Sequence, residues 1–418
     1  MPEASYYTPS FGSWLTPHPH SPLRVRQFDR QSRERAGPAS ATGSAVSTQD
    51  SRLISSIWLP HASPSAAGPH RHLPLQSTMA ETTPSNGTVS QHGATRPVTL
   101  SSTNTLDTPD GQVKFNVGKS IPDTEDIVDG VPLSQWQKDA SIDPTSQVKI
   151  VKLSHMRYQH AVSELPTITK FLQDFGMHIA KRSDDGTKIW FKGYGPDQYV
   201  YYAQAGESKA FLGGSFEVES YSDLEKALKI PGCDGKIEEM SDAPGGGHIL
   251  TLHDPEGFAV NLIYGQAAAP KSQLPEKVIY NDETDKPRVR KFNRYTPGPA
   301  AVHKLGHYGL CVTDFPSQVK WYTTYFNFAP TDFLYAEVGD GKKLDVALFA
   351  HIDRGDDPVD HHTFFMSTNK KRHVHHCSFE VHDYDTQHLG HQHLAAQKYT
   401  SVWGIGRHIL GSQYVSGL

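Results

Sequence analysis

The chain has 418 residues, enough for two or three domains, yet only 36% are apolar and the mean hydropathy is -0.53. A net charge of -5 and a pI near 6.6 leave no basic footprint for nucleic acid, and no stretch approaches the roughly 18 apolar residues of a membrane span. Three scattered cysteines, Cys233, Cys311 and Cys377, make neither a disulfide framework nor a CxxC zinc pair, and Met1-Pro2-Glu3 does not open a secretory leader, so a reducing, cytoplasmic location is expected.

Residues 1–145 are crowded with Ser, Thr, Pro, Gly, Asn and Gln and lack sustained apolar periodicity. Such a segment buries too little surface to offset chain entropy, and disorder is expected. Arg24, Arg26, Arg30, Arg33 and Arg35 resemble a transit peptide faintly, with a plain tail the favoured reading, and Met79-Ala80-Glu81-Thr82-Thr83 reads as an alternative start. Order is expected from Val148, with a strand over 148–153, an amphipathic helix from Leu165 to Met177 stopped by Gly176, and strands at 178–181, 188–192 and 198–204. A second cycle follows: a strand over 211–218, a helix over 222–229, and strands at 248–252 and 258–264 turned by Asp254-Pro255-Glu256-Gly257. The first module, 146–265, is therefore βαβββ twice over.

Internal repetition is visible by eye. Lys152-Leu153-Ser154-His155 matches Lys304-Leu305-Gly306-His307, and Ser215-Phe216-Glu217-Val218 matches Ser378-Phe379-Glu380-Val381. Residues 266–302, with five prolines, suit an extended linker. The second module, 303–418, repeats the order: a strand over 307–312, a helix over 316–326, strands near 331–338, 344–352, 362–367 and 376–381, a helix over 386–398, and Trp403-Gly404-Ile405-Gly406-Arg407-His408.

Gly-His near the start, His-His before the fifth strand and Gly-Arg-His near the end make residues 146–413 resemble type I extradiol ring-cleavage dioxygenases of the vicinal oxygen chelate superfamily. Fungal members acting on catechols or trihydroxytoluene are the nearest in pattern. The resemblance implies an α+β fold of tandem βαβββ modules, the first metal-free, the second holding Fe(II), less often Mn(II), with a small aromatic diol or triol and O2 as substrates. It also implies homo-oligomers. Strand alternation puts His376, Ser378 and Glu380 on one face and His375 and Cys377 on the other; the family pattern, not periodicity, selects His376 beside His307 as metal ligands.

By the same resemblance His362 takes the acid-base position and His408 hydrogen-bonds the substrate. Ring hydroxyls would chelate the metal, and oxygen insertion followed by lactone hydrolysis would give a semialdehyde or keto acid. In the first copy Gly213 stands where His376 should, and Asn261 where the family has glutamate, so His155 is expected to be a packed strand residue. Asn261 lies 46 residues after Ser215, and the same interval from Ser378 runs past Leu418. The glutamate, its closing strand and a substrate-side tyrosine are therefore expected beyond the sequence given, with Tyr414–Leu418 departing from the family pattern and the last sheet edge left bare.

Because 303–418 holds 13 of the 24 histidines, chance supplies suggestive spacings. His373, His375, His382, His388, His391 and His393 are read as surface residues or supports of the ligands, and no Glu turns His388 and His391 into a zinc-protease helix. The alternative to an oxygenase is a non-catalytic protein of the same fold that binds a small molecule. A glyoxalase or thiol-transfer enzyme fits less well, because Gly213 and Asn261 offer no carboxylate.

Overall fold

The computed structural model describes residues 131–276, 294–338, 342–408 and 410–417, short pieces at 24–27, 53–57, 105–108, 111–114 and 127–128, and residues 284, 286–290 and 292. The early pieces are strands β1 (Arg24–Gln27), β2 (Leu53–Ile57), β3 (Thr105–Thr108), β4 (Gly111–Lys114) and β5 (Ile127–Val128). β3 and β4 pair only with each other. Much of the segment expected to be disordered lies outside the described residues. Its end is a correction to that expectation: helix α1 (Leu133–Asp139) stands inside it, held by Trp136, which packs against the main apolar cluster.

The first module runs β6 (Ile150–Ala161), α2 (Leu165–Phe175), β7 (His178–Arg182), β8 (Lys188–Lys192), β9 (Tyr201–Gly206), β10 (Ala210–Val218), α3 (Tyr221–Ala227), β11 (Glu238–Glu239), β12 (His248–His253) and β13 (Ala259–Tyr264). Helix α2 buries Leu165, Ile168, Leu172 and Phe175 along one stripe. It stops at Gly176, whose φ of 121° only glycine tolerates and where a Cβ would fall 1.6 Å from the carbonyl oxygen of Ala300.

The second module runs β14 (Val302–Val312), α4 (Phe315–Tyr325), β15 (Phe328–Val338), β16 (Lys342–Ile352), β17 (Phe364–Thr368), β18 (His373–Val381), α5 (Tyr384–Ala396), β19 (Trp403–Arg407) and β20 (Tyr414–Gly417). The sheets are ordered β11-β12-β13-β10-β6-β9-β8-β7 and β19-β20-β2-β18-β14-β17-β16-β15-β1-β5. Laid side by side, β6-β9-β8-β7 corresponds to β14-β17-β16-β15, and β10 to β18. The architecture is the α+β, two-mixed-sheet arrangement of paired βαβββ modules.

The register makes the duplication concrete. Ser215 faces His155 across β10 and β6, and Ser378 faces His307 across β18 and β14. Lys152 pairs with Glu217 at 3.3 Å, and Lys304 with Glu380 at 3.1 Å.

One difference corrects the expectation of a bare edge. β13 lies parallel to β10, but the outer side of β18 is covered by β2, antiparallel, with Ser56 opposite Ser378. Unpaired strand edges offer a row of donors and acceptors, and the Leu53-Ile54-Ser55-Ser56-Ile57 segment meets them. Tyr414–Gly417 forms β20, paired antiparallel with β19.

The two modules share one core. Met156, Tyr158 and Phe216 of the first belong to the same buried cluster as Tyr308, Phe328 and Phe364 of the second. Polar straps cross the same boundary. The Asn327 side chain accepts from the Ile150 amide and donates to its carbonyl, Tyr322 donates its hydroxyl to Asp254 at 3.0 Å, and Glu256 accepts from the amides of Thr313 and Asp314 before α4. Among the described residues no helix is long and apolar enough to cross a membrane.

Candidate metal and catalytic site

His307 and His376 lie on the neighbouring strands β14 and β18, where Gly309 pairs with His376. Gly309 makes room for that imidazole: a Cβ there would come within 2.6 Å of the Phe365 ring and 3.3 Å of the His376 ring. The two Nε2 atoms are 2.8 Å apart. Both residues sit mid-strand, not at strand starts as expected, because the β14–β18 ladder continues from Val302↔Val381 through to Cys311↔His373.

His362 lies just before β17, its ring centroid 4.1 Å from that of His307. His408, after β19, is near enough that its charge would repel a proton on His307, His362 or His376. All four residues singled out in the sequence are thus brought together.

Each histidine doublet orients its second ring. Nδ1 of His375 is 2.6 Å from Nδ1 of His376, and Nδ1 of His361 is 3.0 Å from Nδ1 of His362. Engaging one ring nitrogen fixes which nitrogen faces the site, as supporting hydrogen bonds do for metal-ligating histidines. His361 in turn meets a buried carboxylate, its Nε2 2.7 Å from Oδ2 of Asp332. Sequence reasoning missed His361 and Asp332. The repeated His-His doublet was a usable signal for the first; for the second, 29 residues away in the chain, there was none.

Burial pulls the pKa of His307, His362 and His376 well below the ordinary imidazole value, and neighbouring imidazoles lower them further by like-charge repulsion. His375 is brought down to about 3, chiefly by burial, and His408 is lowered for the same reason. At neutral pH the cluster is a set of uncharged rings with lone pairs to offer.

Does this donor set fit a ferrous or manganous ion? Two neutral imidazole nitrogens 2.8 Å apart suit adjacent ligand positions, which bonds of about 2.1 Å would place on the order of 3 Å apart. The carboxylate half of a two-histidine, one-carboxylate set does not fit: among the described residues no group of three His, Cys, Asp or Glu side chains could hold a metal ion. Glu380 is committed to Lys304 and His303. Its counterpart Glu217 makes the same lysine pair in the first module, which marks this glutamate as structural. Asp332 is committed to His361.

The first module shows why the same strands need not make a site. Gly213 lies where β10 slips register against β6, at φ 98°, and a Cβ there would fall 2.4 Å from the carbonyl oxygen of Ala259. Asn261 donates to the carbonyls of Leu212 and Gly214 and accepts from Thr251. His155 is buried, with Nδ1 3.0 Å from the Ser154 hydroxyl and its ring 4.3 Å from Tyr199.

A first copy with glycine and asparagine at Gly213 and Asn261, beside a second that gathers imidazoles on matching strands, is the arrangement that known proteins can be compared with. Residues 304–416 match the Glyoxalase/Bleomycin resistance protein/Dioxygenase superfamily. Metapyrocatechase 2 of Cupriavidus necator is 24% identical over 262 residues, covering 62% of this chain and 74% of that protein. Among solved structures, the Mn(II)-bound glyoxalase from Novosphingobium aromaticivorans aligns with a TM-score of 0.47 at 16% identity, over 65% of this chain and 82% of that one. Homoprotocatechuate 2,3-dioxygenase from Brevibacterium fuscum, in complex with 3,4-dihydroxyphenylacetate, aligns with a TM-score of 0.47 at 14% identity, over 66% and 82%. The superfamily match thus lies on the segment that carries the four histidines, and the likeness to extradiol dioxygenases is distant.

Proposed function

We propose that the second module is an extradiol dioxygenase site, with His307 and His376 as two ligands of Fe(II), or of Mn(II), and a catecholic or trihydroxylated ring cleaved with O2. The observation that carries this reading is the convergence of two neutral Nε2 atoms at 2.8 Å, one on buried His307 and one on half-buried His376, beside the buried imidazole of His362. The similarity to metapyrocatechase supports the substrate class. When bound, the ion supplies Lewis acidity toward the ring hydroxyls and the electron density that activates O2.

The chain's own residues hold the rest. His362, an imidazole kept uncharged by burial, accepts a proton from a ring hydroxyl and can return it to the opened product. His408 donates or accepts a hydrogen bond at the far side of the substrate. The apolar wall of Phe349 and Phe365, packed at 4.9 Å between ring centroids, excludes water from the imidazoles it touches.

A non-catalytic small-molecule binder is the second reading, favoured by the lack of a third ligand among the described residues. Anaerobic loading with Fe(II), followed by catechol and O2, separates the two: a yellow ring-opened product supports the enzyme, and catechol binding without product supports the binder. His307→Ala and His376→Ala are expected to lose iron on desalting, while His362→Phe keeps it and turns over more slowly. Equal iron loss in all three would contradict the separate roles.

A further inference from the structure

The first module holds a cleft of about 240 Å³ on strands β6, β8 and β9, closed on its other side by β11 and the turn into β12. Arg157, Lys188, Trp190, Tyr202, Glu239 and Met240 are among its lining residues. A cavity of about 150 Å³ already admits a benzene-sized molecule, so this one has room for a small organic ligand. We infer that it binds a small organic monocarboxylate, with Arg157 as the anchor.

The duplication locates the cleft. Across the first sheet Arg157 pairs with Tyr202 and Tyr202 with Trp190; across the second Gly309 pairs with Phe365 and Phe365 with Phe349. Arg157 follows His155 by two residues, as Gly309 follows His307, so the two rows occupy the same place in the repeat. Both keep an aromatic pair, with ring centroids 5.4 Å apart in the first module and 4.9 Å in the second. They part at the residue on the first strand. Gly309 leaves room for the imidazole of His376, whereas Arg157 brings a guanidinium, 4.6 Å from the centroid of the Tyr202 ring.

A metal ion calls for lone pairs and an anion for donors, and the first copy of this row supplies donors. Arg157 presents a fork of N–H groups matched to a carboxylate, and among the described residues no carboxylate pairs with it. Trp190 is 1% exposed, yet its indole N–H meets no acceptor, a cost that a bound oxygen would relieve. The other charges are largely matched. Lys188 pairs with Asp242 at 2.5 Å, and Glu238 with Lys236 at 2.9 Å. What remains is the guanidinium of Arg157 and the carboxylate of exposed Glu239. A single negative charge balances the first; a phosphate dianion would carry a second charge to be repelled by Glu239, which favours the monocarboxylate.

The test follows the indole N–H of Trp190 in the full, metal-free chain labelled with ¹⁵N-tryptophan at pH 7.5, assigned by its loss in Trp190→Phe. Sodium benzoate should shift that resonance saturably, inorganic phosphate more weakly, and benzylamine not at all. Arg157→Gln should weaken benzoate binding about tenfold or more, and Arg157→Lys, which keeps the charge without the fork, by less. Glu239→Gln, at an exposed position that leaves the fold intact, should tighten it roughly twofold. The benzoate shift should persist in His307→Ala, because the cleft is built from the first module alone. No saturable shift with benzoate overturns the inference. So does tighter binding of phosphate or benzylamine, an unchanged affinity in Arg157→Gln, or weaker binding in Glu239→Gln. None of these readings involves ring cleavage, so a failure of the dioxygenase assignment leaves them unaffected.

Discussion

Acidification from pH 7 to pH 5 is expected to destabilise the fold through its buried imidazoles, and His160 gives the effect a size. It lies near the end of β6, 7% exposed, with Nε2 3.0 Å from the Tyr201 hydroxyl. Burial lowers its pKa to about 4, outweighing the upward pull of Glu164, while Lys209 lowers it further. The folded pKa is thus below the value of about 6.5 in the unfolded chain, so the unfolded state takes up the proton first. Stability from this group is complete above pH ~6.5 and falls by ~1.4 kcal/mol per pH unit below it, a loss of about 2 kcal/mol at pH 5. His375, brought down to about 3, acts in the same sense but is partly exposed, so it adds less than its full ~2 kcal/mol. His307, His362 and His376 add losses of the same sign. Asp254, whose pKa burial raises, opposes them, mainly in the carboxylate range below this window. A total of several kcal/mol is large beside the roughly 5–15 kcal/mol that holds a typical domain. Urea unfolding followed by tryptophan fluorescence at pH 7, 6 and 5 measures it, and His160→Gln should recover about 2 kcal/mol of the acid loss. A wild type equally stable at pH 7 and pH 5, or a His160→Gln variant with an unchanged acid slope, refutes the reasoning.

Gly213→His should not create a second metal site. The positive φ and the 2.4 Å overlap with the Ala259 carbonyl should cost about 3 kcal/mol in chemical unfolding, and a stable variant binding an extra divalent ion would contradict this. Tyr322→Phe removes the hydroxyl given to buried Asp254 across the module boundary and should lower stability by about 2 kcal/mol; an unchanged urea midpoint would show that this strap contributes nothing.

The duplicated module was legible because the two matching tetrapeptides are the register itself: they place His155 beside Ser215 and His307 beside Ser378. Of the imidazole cluster only His307 lies in these motifs; His362, His376 and His408 were picked out by the family resemblance. Strand lengths were not. β14 begins at Val302, five residues before the expected start, because ladder pairing with β18 extends through residues whose side chains show no clean alternation. β2 escaped notice because Leu53–Ile57 is a short run in a polar region, recognisable as a strand only from the edge it covers. Asp332 escaped because a carboxylate in an extended segment reads as solvated, and only the bulge at Thr331 turns it inward to His361.

Both fifth strands slip register against their neighbours, β10 between Phe211 and Gly214 and β18 between Val374 and His376, so the two copies differ in the residues that fill the slip. In the first module the slip leaves the carbonyls of Leu212 and Gly214 to be met by the Nδ2 hydrogens of Asn261, at 2.8 and 3.3 Å. An acidic residue at that place has no such hydrogens when ionised. This makes Asn261→Asp, nearly isosteric, a sharp test of why the first copy carries an amide at this place. Asn261 is 2% exposed, so the new carboxylate would face two carbonyls without water, at a cost of about 3 kcal/mol or more. Burial and repulsion would raise its pKa, and the protonated acid can again donate to one carbonyl. The sign follows: a raised folded pKa gives stability that is present at low pH and lost as pH rises through that pKa. The stability gap between Asn261→Asp and wild type should therefore be wider at pH 8 than at pH 5, measured by urea unfolding at both. A gap that is small, or that does not change with pH, would mean that the amide's hydrogens are not what the slip requires, and that the first module could hold an acid there.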